Sequence, residues 1–309
     1  MVMAAAGAVT VVAGSGWIAK LDTASSGDVG RSIAVDGYGN VYVTGVSKME
    51  LAAVFIAKYD TSGAIQWQRK LDTLSTSDAG LGIAVDGSGN VCVIGRTGNE
   101  GTTGSYIQIF KYNTSGVLQW QRKLDFATQG DTGYGIAVDT SGNVHVIGQF
   151  NASTIANSFV LIAKLPADGT IPGTGTYVVG GSTLTYSAST MTDSAGTLTD
   201  SAGTLTSSAM STNHWIVSLD TTSVTDVGYG IAVDGSGNVY VTGQANATIN
   251  AYVFIAKYNS AGTIQWQRKL DVSSQNDCGY GIAVDGSGNV YVTGQANGTA
   301  TTASCHYKK

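Results

Sequence analysis

Charge is scarce in this chain. Of its 309 residues only 12% are Asp, Glu, Lys or Arg, and the formal net charge is −5. Between Lys164 and Lys257 there is no Lys or Arg at all. The basic stripe that neutralises phosphates is missing, so a nucleic-acid partner is not expected. Proline occurs twice, at Pro166 and Pro172. The three cysteines (Cys92, Cys278, Cys305) are odd in number and form no C-x-x-C, which argues against a disulfide scaffold and a zinc site. Cys278 and Cys305 can pair only if the fold brings them together. His145, His214 and His306 lack ligand-like spacing. No apolar run is long enough to span a bilayer, and the small, apolar start lacks the basic n-region of a signal peptide. H-E-x-x-H, G-x-S-x-G, a nucleophile–base pair and a phosphate loop are all absent. The sequence therefore leads one to expect no enzyme, no cofactor and no membrane span.

What the chain has instead is repetition. "GIAVDGSGNVYVTGQAN" runs from Gly230 to Asn246 and again, unchanged, from Gly281 to Asn297, with looser copies starting at Ser32, Gly82 and Gly135. Each copy alternates Val with Tyr or Thr across a G-S-G-N-type turn, a hairpin signal. Gly37 is replaced by Thr140 in the third copy, whereas Gly39, Gly89, Gly142, Gly237 and Gly288 never vary, as expected where φ must be positive. A third segment such as "VFIAKYD" and a fourth such as "IQWQRKLD" follow, joined by short polar turns. All five Trp fall in one W-x-x-x-L-D motif, at Trp17, Trp67, Trp120, Trp215 and Trp266. Four strands in a unit of about 50 residues describe the blade of a β-propeller. The expected fold is all-β, with five blades of four antiparallel strands. Trp17–Asp22 would be the outer strand of the blade begun at Gly281, with Ala8–Val12 as its third strand, so that the ring closes without an exposed edge.

"GYGIAVDGSGNVYVTG" resembles the SBBP repeat, the β-propeller repeat of bacterial surface and phage proteins named for seven blades. It is less similar to the NHL repeat, which lacks the Val-Thr-Gly ending. The resemblance extends over most of the chain, although here the copies number five.

One segment breaks the period. The propeller is expected over residues 1–165 and 214–309, with an insertion at 166–213. Inside it, Leu184, Met191, Leu198 and Leu205 recur every seven residues, each followed four residues later by Ala. That spacing is a coiled-coil seam. Against it, eighteen of the 28 residues from Leu184 to Ser211 are Thr, Ser, Gly or Asp, costing a helix about 9 kcal/mol relative to Ala. Two readings stay open: a homo-oligomer through this segment, or a strand-like arm packed on the propeller. The L-T-D-S-A-G-T tract resembles structural proteins of marine cyanobacterial phages.

Fifteen of the 21 acidic residues stand at three repeated positions. Asp36, Asp86, Asp139, Asp234 and Asp285 precede the hairpin turn, and Asp22, Asp72, Asp125, Asp220 and Asp271 end the outer strand. Both sets fit turn chemistry. Asp28, Asp78, Asp131, Asp226 and Asp277 precede the innermost strand; they either cap that turn or ring a channel and hold a cation. The Arg and Lys of W-Q-R-K-L-D fit a solvated rim. Copies differ most in the loops after the second strand, and recognition commonly resides in such loops. The expected function is a non-catalytic structural or binding propeller at a virion surface (fibre, spike or decoration), with other virion proteins or a host glycan as partner. The alternative is a secreted or cell-surface carbohydrate-binding propeller, with Tyr42, Tyr240 and Tyr291 as groove residues.

Overall fold

The computed structural model describes residues 10–12, 16–18, 28–48, 52–72, 77–98, 104–126, 130–151, 158–170, 175–179, 182–188, 192–194, 215–219, 226–245, 251–271, 276–297 and 302–308. All regular structure within them is strand. β1 (Thr10–Val12) and β2 (Gly16–Ile18) pair with each other. Blade 1 comprises β3 (Val29–Val35), β4 (Val41–Lys48), β5 (Ala52–Tyr59) and β6 (Ile65–Asp72). Blade 2 comprises β7 (Ala79–Val85), β8 (Val91–Arg96), β9 (Ile107–Tyr112) and β10 (Leu118–Asp125). Blade 3 begins with β11 (Thr132–Val138), β12 (Val144–Asn151) and β13 (Ser158–Leu165). The insertion supplies β14 (Thr176–Val179), β15 (Ser182–Ala188) and β16 (Thr192–Ser194) before β17 (Trp215–Leu219) completes the blade. Blade 4 is β18 (Val227–Val233), β19 (Val239–Ala245), β20 (Tyr252–Tyr258) and β21 (Ile264–Leu270). Blade 5 is β22 (Cys278–Val284), β23 (Val290–Asn297) and β24 (Thr302–Lys308). Every blade is an antiparallel meander.

The inner hairpins form for a local reason. Asp36 Oδ1 accepts the N–H groups of Tyr38 and Asn40 at 2.9 Å each, and its Oδ2 takes the Asn40 amide at 2.7 Å. The other four copies of this aspartate make the same turn. The glycine that closes it has φ between +76° and +83° at Gly39, Gly89, Gly142, Gly237 and Gly288, a region that penalises any Cβ.

Blades then stack face to face. The inner strands succeed one another as β3, β7, β11, β18 and β22, each packed on the next. At the first junction Ile83 of blade 2 lies among Tyr42, Val54 and Ile56 of blade 1 and is 6% exposed. The tryptophans of the outer strands of blades 1 to 3 fasten the junctions from outside. Trp67 lies against Gly116 of blade 2, Trp120 against Gly169 of blade 3, and Trp215 against Gly262 of blade 4. Their indole N–H groups donate to Thr114, Ala167 and Ser260 carbonyls at 3.0–3.2 Å. Arg69 and Arg122 donate Nε to the Gly116 and Gly169 carbonyls at 2.6 Å. These arginines are not the solvated rim that the sequence led one to expect; they bond one blade to the next.

The ends of the array differ from expectation. The third strand of blade 5 is β24, not Ala8–Val12, and β1 and β2 pair with each other instead of joining that blade. No described sheet closes on itself, and β22 and β3 do not pack on each other as the other inner strands do. Accordingly Ile33 and Val35 are 66% and 59% exposed. The insertion is also not a helical seam where it is described. β15 adds to β10, and β16 adds to β6, so the arm reading holds there. Leu184 lies in β15, opposite Tyr177; Met191, Leu198 and Leu205 lie outside the described residues.

The junction yields a stability test. Gly116 has φ +74°, and a Cβ there would sit 2.6 Å from the Trp67 ring. Gly116→Val is expected to cost about 2–4 kcal/mol. Gly37→Ala, at a turn position with open space around it, should stay within about 0.5 kcal/mol of the parent. Urea unfolding of both variants checks the contrast.

Candidate functional site

Each inner hairpin contains one β-bulge at the same place. The register slips between Gly30 and Ser32, Gly80 and Gly82, Gly133 and Gly135, Gly228 and Gly230, and Gly279 and Gly281. The extra residue in each is Arg31, Leu81, Tyr134, Tyr229 or Tyr280. A bulge re-aims the side chain it carries, and these five side chains line one cavity of about 280 Å³, together with Arg96. Flanking glycines permit the crowding at this point. A Cβ on Gly135 would meet the Tyr229 carbonyl oxygen at 2.8 Å.

The lining divides in two. On blades 3 to 5 the tyrosines fan in sequence, with ring centroids 5.0 Å apart for Tyr134–Tyr229 and 5.6 Å for Tyr229–Tyr280, at tilts of 56° and 59°. The Tyr280 hydroxyl donates to Gln295 Oε1 at 3.1 Å, and Tyr134 reaches Gln149 Oε1 at 3.5 Å. Burial and the neighbouring Cys278 raise the Tyr280 phenol above its usual range, so it remains a donor at neutral pH. On blades 1 and 2, Arg31 and Leu81 stand where the others have Tyr. Arg96 stands where blades 3 to 5 have Gln149, Gln244 and Gln295. Among the described residues no carboxylate lines the cavity.

The residues expected from sequence lie elsewhere. Tyr42 and Tyr240 are 0% and 2% exposed, and their hydroxyls donate to Asp36 and Asp234 at 3.0 Å. They pack against Trp67 and Trp266 at the blade junctions, so they are not groove residues. Tyr291 makes the same bond to Asp285 and is 39% exposed, at the end of the array. Cys92 replaces this Tyr in blade 2 and is wholly buried, which pushes its thiol up to about 12. Cys278 is a buried free thiol rather than half of a disulfide with Cys305.

The supposed cation ring is dispersed as well. Asp78, Asp131, Asp226 and Asp277 are fully buried, one at each blade junction. Their N–H groups donate to the Ala52, Ser105, Ser158 and Ala251 carbonyls of the preceding blade at 2.8–3.1 Å. Asp28 is the equivalent residue of blade 1. Among the described residues no three acidic, His or Cys side chains gather as metal ligands. Through these bonds the aspartates tie each blade to the one before it.

Sequence reasoning missed the pocket because its bulged residues follow one another at about 50 to 95 residues and share no local motif. The signal was present all the same: one position inside D-x-G-x-G/S reads Arg, Leu, Tyr, Tyr, Tyr while its neighbours barely change.

The family model of the SBBP β-propeller repeat matches residues 16–48, 120–152, 218–249 and 265–299. These four stretches of the chain are similar to that repeat. The stretch bearing Leu81 and Arg96 falls outside the four matches. A comparison with curated proteins finds no match. Among solved structures, a selenomethionine-substituted virginiamycin B lyase from Staphylococcus aureus is 12% identical, covering 89% of this chain and 83% of its own at a TM-score of 0.40. A gluconolactonase from Xanthomonas campestris is 13% identical, covering 87% and 93% at a TM-score of 0.25. Both of these neighbours are named as enzymes, and the expectation that the chain is no enzyme, which rested on missing motifs alone, is withdrawn. Residues converging from separate blades leave no local motif, so the absence of motifs excludes nothing. Likenesses this distant bring neither activity to the chain.

His145 offers a pH test. It takes the place of Tyr42 in blade 3, is fully buried, and holds Asp139 Oδ2 at 3.1 Å, with Lys164 on the same oxygen at 3.6 Å. Burial lowers its pKa below 6.5, and the Asp139 bond offsets only part of that. Below the unfolded value the unfolded chain therefore takes up the proton first, and stability falls as pH drops through about 6.5. For Asp139, burial works upward, but hydrogen bonds from His145 and Asn143 outweigh it and hold the carboxyl well below the usual range. Its stabilisation is lost only at more acid pH, from about 4 downward. His145→Tyr restores the residue of blades 1, 4 and 5, and should flatten the fall in melting temperature between pH 7 and 5. Equal slopes in parent and variant would refute this assignment.

Proposed function

We propose that the protein is a recognition propeller that binds a saccharide in its axial pocket. The observation that carries this reading is the turning of one bulged residue per blade into a common cavity, three of them tyrosines in a tilted fan. A sugar ring has an apolar C–H face and a rim of hydroxyls. Tyrosine offers both complements, an aromatic face and a phenolic donor–acceptor. About 280 Å³ lies at the small end of ligand pockets, which suits one or two sugar units. The setting we favour is a virion surface engaging a host glycan, for which the support is the phage-like tract of the insertion. A secreted or cell-surface lectin uses the same pocket in the same way. Tyr229→Ala removes the middle ring of the fan and is expected to weaken saccharide binding at least about tenfold, read by isothermal titration. Undiminished binding by the variant would place the sugar elsewhere.

The proposal includes a ring of five blades. Its support is that all five inner strands contribute to one cavity, and that blade 1 and blade 5 present matching unsatisfied faces. Ile33 and Val35 are exposed where Ile83 is 6% exposed, and Tyr291 is exposed where Tyr240 is 2% exposed. Residues 17–22 carry the W-x-x-x-L-D motif of an outer strand, the one strand that blade 5 lacks among those described. If the two faces meet, Ile33→Asp buries a charge and should cost about 2 kcal/mol or more in a chain that remains a monomer by light scattering. Unaltered stability of that variant would leave the array open.

A further inference from the structure

The departures of blades 1 and 2 from the repeat have a common chemical sense. What every blade shares is what the scaffold requires. Blades 3, 4 and 5 present Tyr at the bulge (Tyr134, Tyr229, Tyr280) and Gln on the neighbouring strand (Gln149, Gln244, Gln295), paired with the residue two before the Tyr. Blade 1 presents Arg31 with Val46 at these positions, and blade 2 presents Leu81 with Arg96. Two guanidinium groups therefore enter the pocket from adjacent blades, in a chain whose net charge is −5. No carboxylate lines the pocket, and neither arginine is in an ion pair among the described residues. Arg96 spends one Nη on the Gly98 carbonyl at 3.0 Å, while its Nε is buried with no partner there. An unpaired buried donor on a charged group is costly. It is satisfied when an anion arrives.

We propose that the saccharide of this pocket is acidic, its carboxylate or sulfate held by Arg31 and Arg96 while the sugar ring lies on the tyrosines. This rests on the saccharide reading above and adds its charge. Arginine suits the task because its planar fork matches the oxygen pairs of such groups and keeps its charge at any working pH. The pocket then has two complementary walls, aromatic from blades 3 to 5 and cationic from blades 1 and 2.

The test titrates the full chain with a galacturonate oligomer, a sulfated galactose oligomer, a neutral galactose oligomer and inorganic sulfate. At least one acidic oligomer is expected to bind about tenfold or more tightly than the neutral one, and which one it is separates carboxylate from sulfate. Arg96→Gln and Arg31→Tyr install the residues of blades 3 to 5, so both variants keep a side chain that this scaffold already accommodates. Each should erase most of the acidic preference, whereas Arg268→Gln, on an outer strand, should not. Equal binding of neutral and acidic oligomers, or a preference that survives both variants, overturns the inference and leaves the saccharide reading in place. Arginine-dependent binding of sulfate alone, with no oligomer bound, keeps the anion site and overturns the saccharide. No binding of any probe overturns both.

Discussion

The rest of the structure depends on one contact, an indole lying flat on a glycine of the next blade. At Trp67–Gly116, Trp120–Gly169 and Trp215–Gly262 the two surfaces approach so closely that a single added carbon has no room. The approach fixes the spacing between blades at their outer edges. At their inner edges the spacing is fixed by the buried aspartates, whose N–H groups reach the preceding blade. Held at both ends, the apolar faces between them have one register available. Interiors of this kind are close-packed rather than fluid, which is why the sequence can vary little there.

That constraint explains what was legible in advance. The turn aspartates, the positive-φ glycines and the four-strand meander follow from short-range chemistry, and five near-copies in one chain display it repeatedly. Much of the rest was not legible, because it depends on contacts between blades. Tyr42 and Tyr240 alternate with valine as groove residues would, yet the neighbouring blade covers them. Asp78, Asp131, Asp226 and Asp277 sit beside the innermost strand in sequence, yet face a junction. Arg69 and Arg122 carry charge in a polar run, but bond to carbonyls some 47 residues away. The third strand of blade 5 came from the other end of the chain than expected, since several short segments of similar composition compete for one edge.

The pocket stands apart from both groups. Its five bulged residues are irrelevant to strand formation and to the junctions, and so are free to differ. Repetition sets a rigid frame, and the bulge releases one side chain per blade from that frame. Tyrosine in three blades and cationic or aliphatic residues in two give a scaffold of copies an asymmetric interior. In a structure built from copies, chemical individuality is visible as disagreement among them.

The arm formed by β14, β15 and β16 has a bearing on biosynthesis. β16 leaves the third blade and pairs with β6, whose Asp72 was made 120 residues before its partner Thr192. At ordinary elongation rates that interval lasts about 6–24 s. During it the outer strand of the first blade has a free edge, close to its neighbours on the polysome. Such edges recruit strands from other chains. The nascent protein is therefore open to mispairing at this edge midway through its own translation, until residue 194 has emerged.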